Sequence, residues 1–392
     1  MTDRAGDARD LPLASLALAG RTLAERQLDL VLALGCERVV CLSQGLDKGL
    51  IALQHRAESA GAKFNVIAGP RPLAGLVSAA DELVVVVEGL LPAIAEAKQV
   101  LEGGAGVLAL PVEAGIAAGF ERIDLNLAWA GVLMMPGRLV ERLTQLPADC
   151  DAISALLRIA LQGRVPYRAL PETLLAERRW ALVRNQAQLA ELEPVWLRRH
   201  VAAPTLFAPG RALARIAMRR AGSALLEKGW KPAYLSGAGV LLAGLGVIAA
   251  WFGHGASGIV ACGLGWLGVE AACALGSIAG AGAEEKSNDD KSGTLAAIIV
   301  DLLLVWVLGL TLSGTWHERL FAPIVLIAVA RLSGRLIEAR PAEMIQDRAL
   351  LALLLAIAGS TGVLLPITQL LAFAVLILLL ALSRGNPQLT QA

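Results

Sequence analysis

The chain has 392 residues, of which 56% are hydrophobic and only 18% charged, with a formal net charge of +1. That balance is too apolar for an ordinary soluble protein, and it offers no electrostatic reason to expect nucleic acid as a partner. Five cysteines (Cys36, Cys41, Cys150, Cys262, Cys273) form no C-x-x-C pair and no metal-ligand spacing with the four histidines, as expected of reduced thiols in a cytoplasmic setting.

The hydrophobic excess is uneven: charges are spread through the first 230 residues, and long charge-free runs take over from about 233. At the start, Arg4 and Arg9 interleave with Asp3, Asp7 and Asp10, and the apolar run 11–20 is short, so no signal peptide is expected. Residues 1–170 read as an α/β domain, because strand-like and helical stretches alternate from residue 11. Strands are expected at 38–42, 63–67, 83–87 and 107–111, and helices at 22–35, 46–60, 91–102 and 151–162. A helical linker follows over 171–232. Its last part, 209–228, is amphipathic, with Arg211, Arg215 and Arg219 recurring every fourth residue. Such a stripe is expected to lie among lipid headgroups.

A membrane-crossing helix needs roughly 20 apolar residues. Segments 233–253, 258–281, 292–314 and 320–334 meet or approach that length, and 349–383 holds no charged residue. This last run is too long for one span and is expected to break at 359–362 or at Leu365-Pro366. Six spans over 233–384 result, with a tail at 385–392. Lys286, Lys291, Arg335, Arg340, Arg348 and Arg384 fall on one side of them, and His254, His317 and Arg319 on the other. The positive-inside rule then puts both termini in the cytoplasm of a cell whose inner membrane holds the chain. Three ionisable residues lie within spans: Glu270, Asp301 and Arg331. A charge at a helix centre costs at least about 2.5–3.5 kcal/mol. Glu270 and Asp301 are therefore expected to face the bundle interior, while Arg331 is expected to snorkel to the nearby surface.

Across the second and third spans the sequence reads Leu275-Gly276-Ser277-Ile278-Ala279-Gly280, a polar loop, then Gly293-x-x-x-Ala297-x-x-x-Asp301. This frame resembles the signature of the CDP-alcohol phosphotransferases, D-G-x-x-A-R followed by G-x-x-x-D-x-x-x-D. In that family the acids hold divalent metal over the CDP-alcohol diphosphate, and the last acid activates the incoming hydroxyl. The i, i+4 repeat sets paired acids on one helix face. The resemblance places the family's acids on Ala272, Leu275 and Ala297 and its arginine on Gly280. Gly276 and Gly293 keep the frame, and Asp301 is the surviving acid and the candidate base. Glu270 is the second candidate. Glu284, Glu285, Asp289 and Asp290 in the loop read as a solvated turn.

In the first domain, Gly20-Arg21-Thr22-Leu23-Ala24-Glu25-Arg26-Gln27-Leu28-Asp29, then 119–124 and 129–132, resemble a nucleotidyltransferase with a Rossmann-like sheet. The strand ending at Val87 leads to Glu88, where that family carries a metal-binding acid; Asp124 reads more simply as a turn residue. The family's Gly-rich triphosphate loop has no counterpart in residues 1–10.

The joined outline is similar to bifunctional enzymes that make CDP-inositol from CTP and inositol 1-phosphate and then transfer phosphoinositol. The resemblance implies a nucleotidyltransferase-type head on a six-helix phosphotransferase-type membrane bundle. The loss of motif residues in both halves points to a non-catalytic relative that binds no CTP. It would act as a binding or accessory protein in phospho-alcohol or phospholipid metabolism. Its expected partners are membrane lipid, a second copy of itself and a catalytic subunit. The rival is a working transferase using Mg2+, Asp301, Glu270 and the loop acids. A transporter is the third reading, poorly served by so few intramembrane charges.

Overall fold

The computed structural model describes residues 12–43, 45, 48–147, 150–280, 288–336 and 340–383. The chain forms two compact units, one reaching Trp196 and the other beginning at Leu197.

The first unit is α/β. Strands Arg38–Leu42 and Lys63–Ile67 form a parallel pair, joined through helix Lys48–Ser59. A separate four-stranded sheet runs in the order Glu82–Val86, Leu127–Pro136, Gly106–Pro111, Tyr167–Ala169. Leu127–Pro136 is antiparallel to both neighbours, and Tyr167–Ala169 is parallel to Gly106–Pro111. Both sheets feed one apolar core, in which Val40, Leu42 and Ile67 pack with Val85, Leu133 and Met135. The four expected strands are present within a residue of their expected ends. The central strand carries no alternation because its positions from Ala128 to Met135 are all buried, and a strand covered on both faces reads as a continuous apolar run.

Helix Leu23–Ala33 starts with a reciprocal cap: Glu25 N donates to Thr22 Oγ1 (3.2 Å) and Thr22 N to Glu25 Oε2 (2.8 Å). The unit continues past 170 because residues there complete its core. Strand Ala181–Leu182 pairs with Leu90–Leu91. The buried Trp180 donates its indole N–H to Ala130 O at 2.8 Å, the partner that a buried indole requires.

After an irregular stretch at 201–208, the second unit is mainly helical over its described residues. It comprises Pro209–Glu227, Pro232–Trp251, Gly255–Ala279, Asn288–Thr311, Trp316–Leu336, Arg340–Gln346, Arg348–Ser360 and Leu364–Ser383. Among the described residues three helices, Pro232–Trp251, Gly255–Ala279 and Ser292–Thr311, are long and apolar enough to cross a membrane; Arg348–Ser360 and Leu364–Leu378 are apolar but shorter. The long charge-free run breaks at 361–363. There Gly362 adopts φ +76°, a left-handed turn that glycine accepts without strain. Pro366 falls in the first turn of the next helix, where a missing N–H leaves no hydrogen bond unmade.

Helix Pro232–Trp251 turns large side chains outward and small ones inward. Leu241, Leu245 and Ile248 are exposed, as are Leu295, Leu302 and Trp306. Gly239, Ala243, Gly246 and Ala250 are buried. A methyl group on Gly246 would stand 2.6 Å from Gly258 O, and one on Gly258 would stand 2.5 Å from Gly246 O. Helices Pro232–Trp251 and Gly255–Ala279 thus touch backbone to backbone, as small residues in membrane helices allow. Gly244, two positions away, faces open space. Gly246→Ala is expected to lower stability by about 1–3 kcal/mol through overpacking, and Gly244→Ala to leave it unchanged. Thermal melts of the two purified variants in detergent decide the matter, and coincident melting curves would refute the close contact.

A charged network beside an apolar groove

Helix Pro209–Glu227 buries Gly210, Ala214, Met218 and Gly222, every fourth residue, and packs this face on Gly255–Ala279. A methyl group on Gly222 would stand 2.7 Å from Ile278 Cδ1 and 3.7 Å from Leu275 Cδ1. The arginine stripe expected among headgroups also makes contacts within the protein. Arg211 Nε lies 3.5 Å from Glu270 Oε1, and Arg211 Nη1 donates to Gln346 Oε1 at 3.4 Å. Arg215 Nη1 donates to Ala203 O at 2.9 Å, and Arg219 Nη2 to Val201 O at 2.6 Å. The irregular stretch before the helix leaves carbonyls without helical partners, and these arginines satisfy them.

Asp301 is buried, and both its oxygens are engaged. Arg331 Nε donates to Oδ2 at 2.6 Å, and Arg348 Nε to Oδ1 at 3.1 Å. Arg331, expected to snorkel to the surface, keeps a partly exposed side chain while its Nε turns to Asp301. A carboxylate inside an apolar bundle needs a counter-charge more than this arginine, still partly exposed, needs more solvent.

Next to Arg348 sits Asp347, fully buried. Its Oδ1 accepts from Ala349 N and Leu350 N, both at 3.1 Å, and caps helix Arg348–Ser360. Its Oδ2 accepts from Gly210 N at 2.7 Å and Arg211 N at 3.3 Å. One carboxylate thus serves two helix N-termini. Arg348, expected as a loop cation, is buried, and Asp347 stands directly before an apolar helical run, which is a helix-start signal.

Glu270 and Asp301, the two candidate acids, therefore belong to one network. Arg211, Arg215, Asp347 and Arg348 all lie within electrostatic reach of Glu270, and Arg348 binds Asp301. Three positions that the resemblance would fill with acids are packed with carbon. Ala272 and Leu275 are buried, and Ala297 packs against the main apolar cluster. A methyl group on Gly276 would touch Pro232 at 3.8 Å, and one on Gly293 would touch Cys273 Sγ at 3.1 Å. Glu284 and Glu285, and the side chains of Asp289 and Asp290, lie outside the described residues. Among the described residues no three His, Cys, Asp or Glu side chains converge as metal ligands. A divalent ion does not fit beside Asp301, whose oxygens already face two guanidinium cations.

In the first unit, Glu88 Oε1 accepts from Ala14 N at 3.2 Å, so it meets the turn Leu13–Ser15. Asp124 is exposed and accepts from Leu125 N at 2.6 Å. Arg21 and Arg56 bind the two oxygens of Asp29. Arg26 donates to Leu18 O at 2.7 Å and lies 4.5 Å above the Trp196 ring. Burial, then the neighbouring Arg21, bring the Arg26 pKa down to about 10, so the guanidinium stays charged at neutral pH. Gln27 Nε2 donates to Val87 O and Leu90 O. Within the stretch 20–29, Arg26 and Gln27 tie helix Leu23–Ala33 to neighbouring strands.

Beside the charged network, in the second unit, lies an apolar groove of about 250 Å3. Its lining includes Gly210, Leu213, Val260, Leu264, Leu267 and Leu353. Along helix Gly255–Ala279 it ends at Leu267, one turn short of Glu270. No protein-family model matches the chain, and no curated protein matches it.

Asp301→Leu would leave Arg348 buried without its counter-charge, and a loss of about 3–5 kcal/mol is expected. Adding Arg331→Met and Arg348→Met should restore most of it. Unfolding of the single and triple variants in detergent is the measurement, and a harmless single variant would refute the ion pair's role.

Proposed function

We propose that this chain is a membrane protein that holds a phospholipid or phospho-alcohol compound without transferring it. In this reading it is a degenerate relative of the CDP-alcohol phosphotransferases, acting as a binding or accessory protein in phospholipid metabolism. The observation that carries the reading is the closure of Asp301 by Arg331 and Arg348. A general base needs an oxygen free to take the substrate's proton, and both oxygens here are committed to guanidinium groups. The apolar groove supports the lipid part. It lies along helix Gly255–Ala279, which is long and apolar enough to cross a membrane, and Arg211, Gln346 and Glu270 gather near its upper end.

The finer architecture belongs to the same proposal: a six-span bundle with both termini cytoplasmic, and a Rossmann-like head. Arginine and lysine placement supports the orientation. The split sheet supports the head. In a 3-2-1-4 strand order, with 38–42, 63–67 and 82–86 as strands two, three and four, a missing first strand separates the parallel pair from the rest. No such first strand is present among the described residues. Glu88 receives Ala14 N where a nucleotide's metal would be held, which supports a head that binds no CTP.

Three measurements on the purified full-length protein test this. Calorimetric titration with Mg-CTP is expected to show no binding, and phospholipid is expected to stay bound through purification, read by mass spectrometry. Incubation with Mg2+ and a CDP-alcohol is expected to release no CMP. Metal-dependent CMP release that disappears in Asp301→Asn would establish the working transferase instead.

A further inference from the structure

We propose that Asp347 is a latch that sets the width of the apolar groove by holding its two walls together at one end. This rests on the reading of the groove as a lipid site. One wall is helix Pro209–Glu227, contributing Gly210 and Leu213; the other is helix Arg348–Ser360, contributing Ala349 and Leu353. Both walls pack extensively on Gly255–Ala279 and much less on each other. Where they meet, the Asp347 carboxylate accepts four backbone N–H groups, two from each wall.

Two helix N-termini carry like partial charge and repel when brought together. The buried carboxylate between them reverses that repulsion. Gly210 makes the approach possible, since a methyl group there would stand 2.5 Å from Asp347 Oδ1 and 2.6 Å from Ala349 Cβ. A strap reinforces the latch: Thr205 Oγ1 donates to Glu343 Oε2 at 2.7 Å, and Arg211 bonds Gln346. Away from the latch, Leu213 and Leu353 are exposed, leaving space between them that an acyl chain can fill. Releasing Asp347 frees the walls to part, and the fit to a lipid chain is lost.

The test uses the full-length chain in phosphatidylglycerol nanodiscs, with spin labels carried by an unnatural amino acid at positions 213 and 353. The parent should give one narrow distance. Asp347→Ala should lengthen and broaden it by several ångströms, and Asp347→Asn, which keeps one acceptor oxygen, should fall between. Gly210→Ala should lengthen it while keeping the carboxylate, and it carries the test alone if Asp347→Ala fails to fold. Bound phosphatidylglycerol, read by mass spectrometry, should fall severalfold in the variants that widen the groove. Unchanged distances in folded Asp347→Ala and Gly210→Ala would overturn the latch. Widened distances in a protein whose parent retains no lipid would uphold the latch and remove the lipid reading it serves.

Discussion

A carboxylate buried among apolar helices must be neutralised where it stands, and the second unit is arranged around meeting that demand twice. Asp301 is met by two guanidinium groups, one from each of two later helices. Asp347 is met by backbone N–H groups from two helix N-termini. The adjacent residues Asp347 and Arg348 thus fasten three helices at one point: their own, helix Pro209–Glu227 and the helix that carries Asp301. Apolar packing alone would leave these helices free to slide, because lipid tails solvate leucine as well as other leucines do. The charges supply direction and register.

The same demand explains why the signature frame ends as it does. A site for two metal ions needs several carboxylates facing one cavity, with cations supplied from outside. Here the cations are supplied by the chain itself, as Arg331 and Arg348, and carbon occupies the remaining positions. Leu275 packs toward Gly222, and Gly293 sits against Cys273. Within that frame Asp301 stands as an ion-paired acid and Gly293 as a close contact between helices.

Much of the fold was legible because it rests on local rules. The strands at 38–42 and 63–67 and the break near Gly362 follow from propensity and backbone freedom. What stayed hidden depends on residues far apart in sequence. No local pattern tells that Arg331 turns to Asp301, thirty positions away, or that Arg215 and Arg219 serve carbonyls of the preceding stretch. The long strand Leu127–Pro136 was blurred for the opposite reason: burial on both faces removes the alternation by which strands are recognised. Of the candidate site, the acids Glu270 and Asp301 could be found as intramembrane charges, but their partners could not.

The separation between Asp301 and its arginines also has a consequence in time. The chain is made from its N-terminus, and Arg348 follows Asp301 by 47 residues. At about 5–20 residues per second, the ribosome needs a few seconds to deliver that second arginine. During this interval the newly made helix holds an acid whose permanent partners do not yet exist. The two ion pairs therefore cannot guide the entry of this helix and fix its register only once Arg331 and Arg348 arrive.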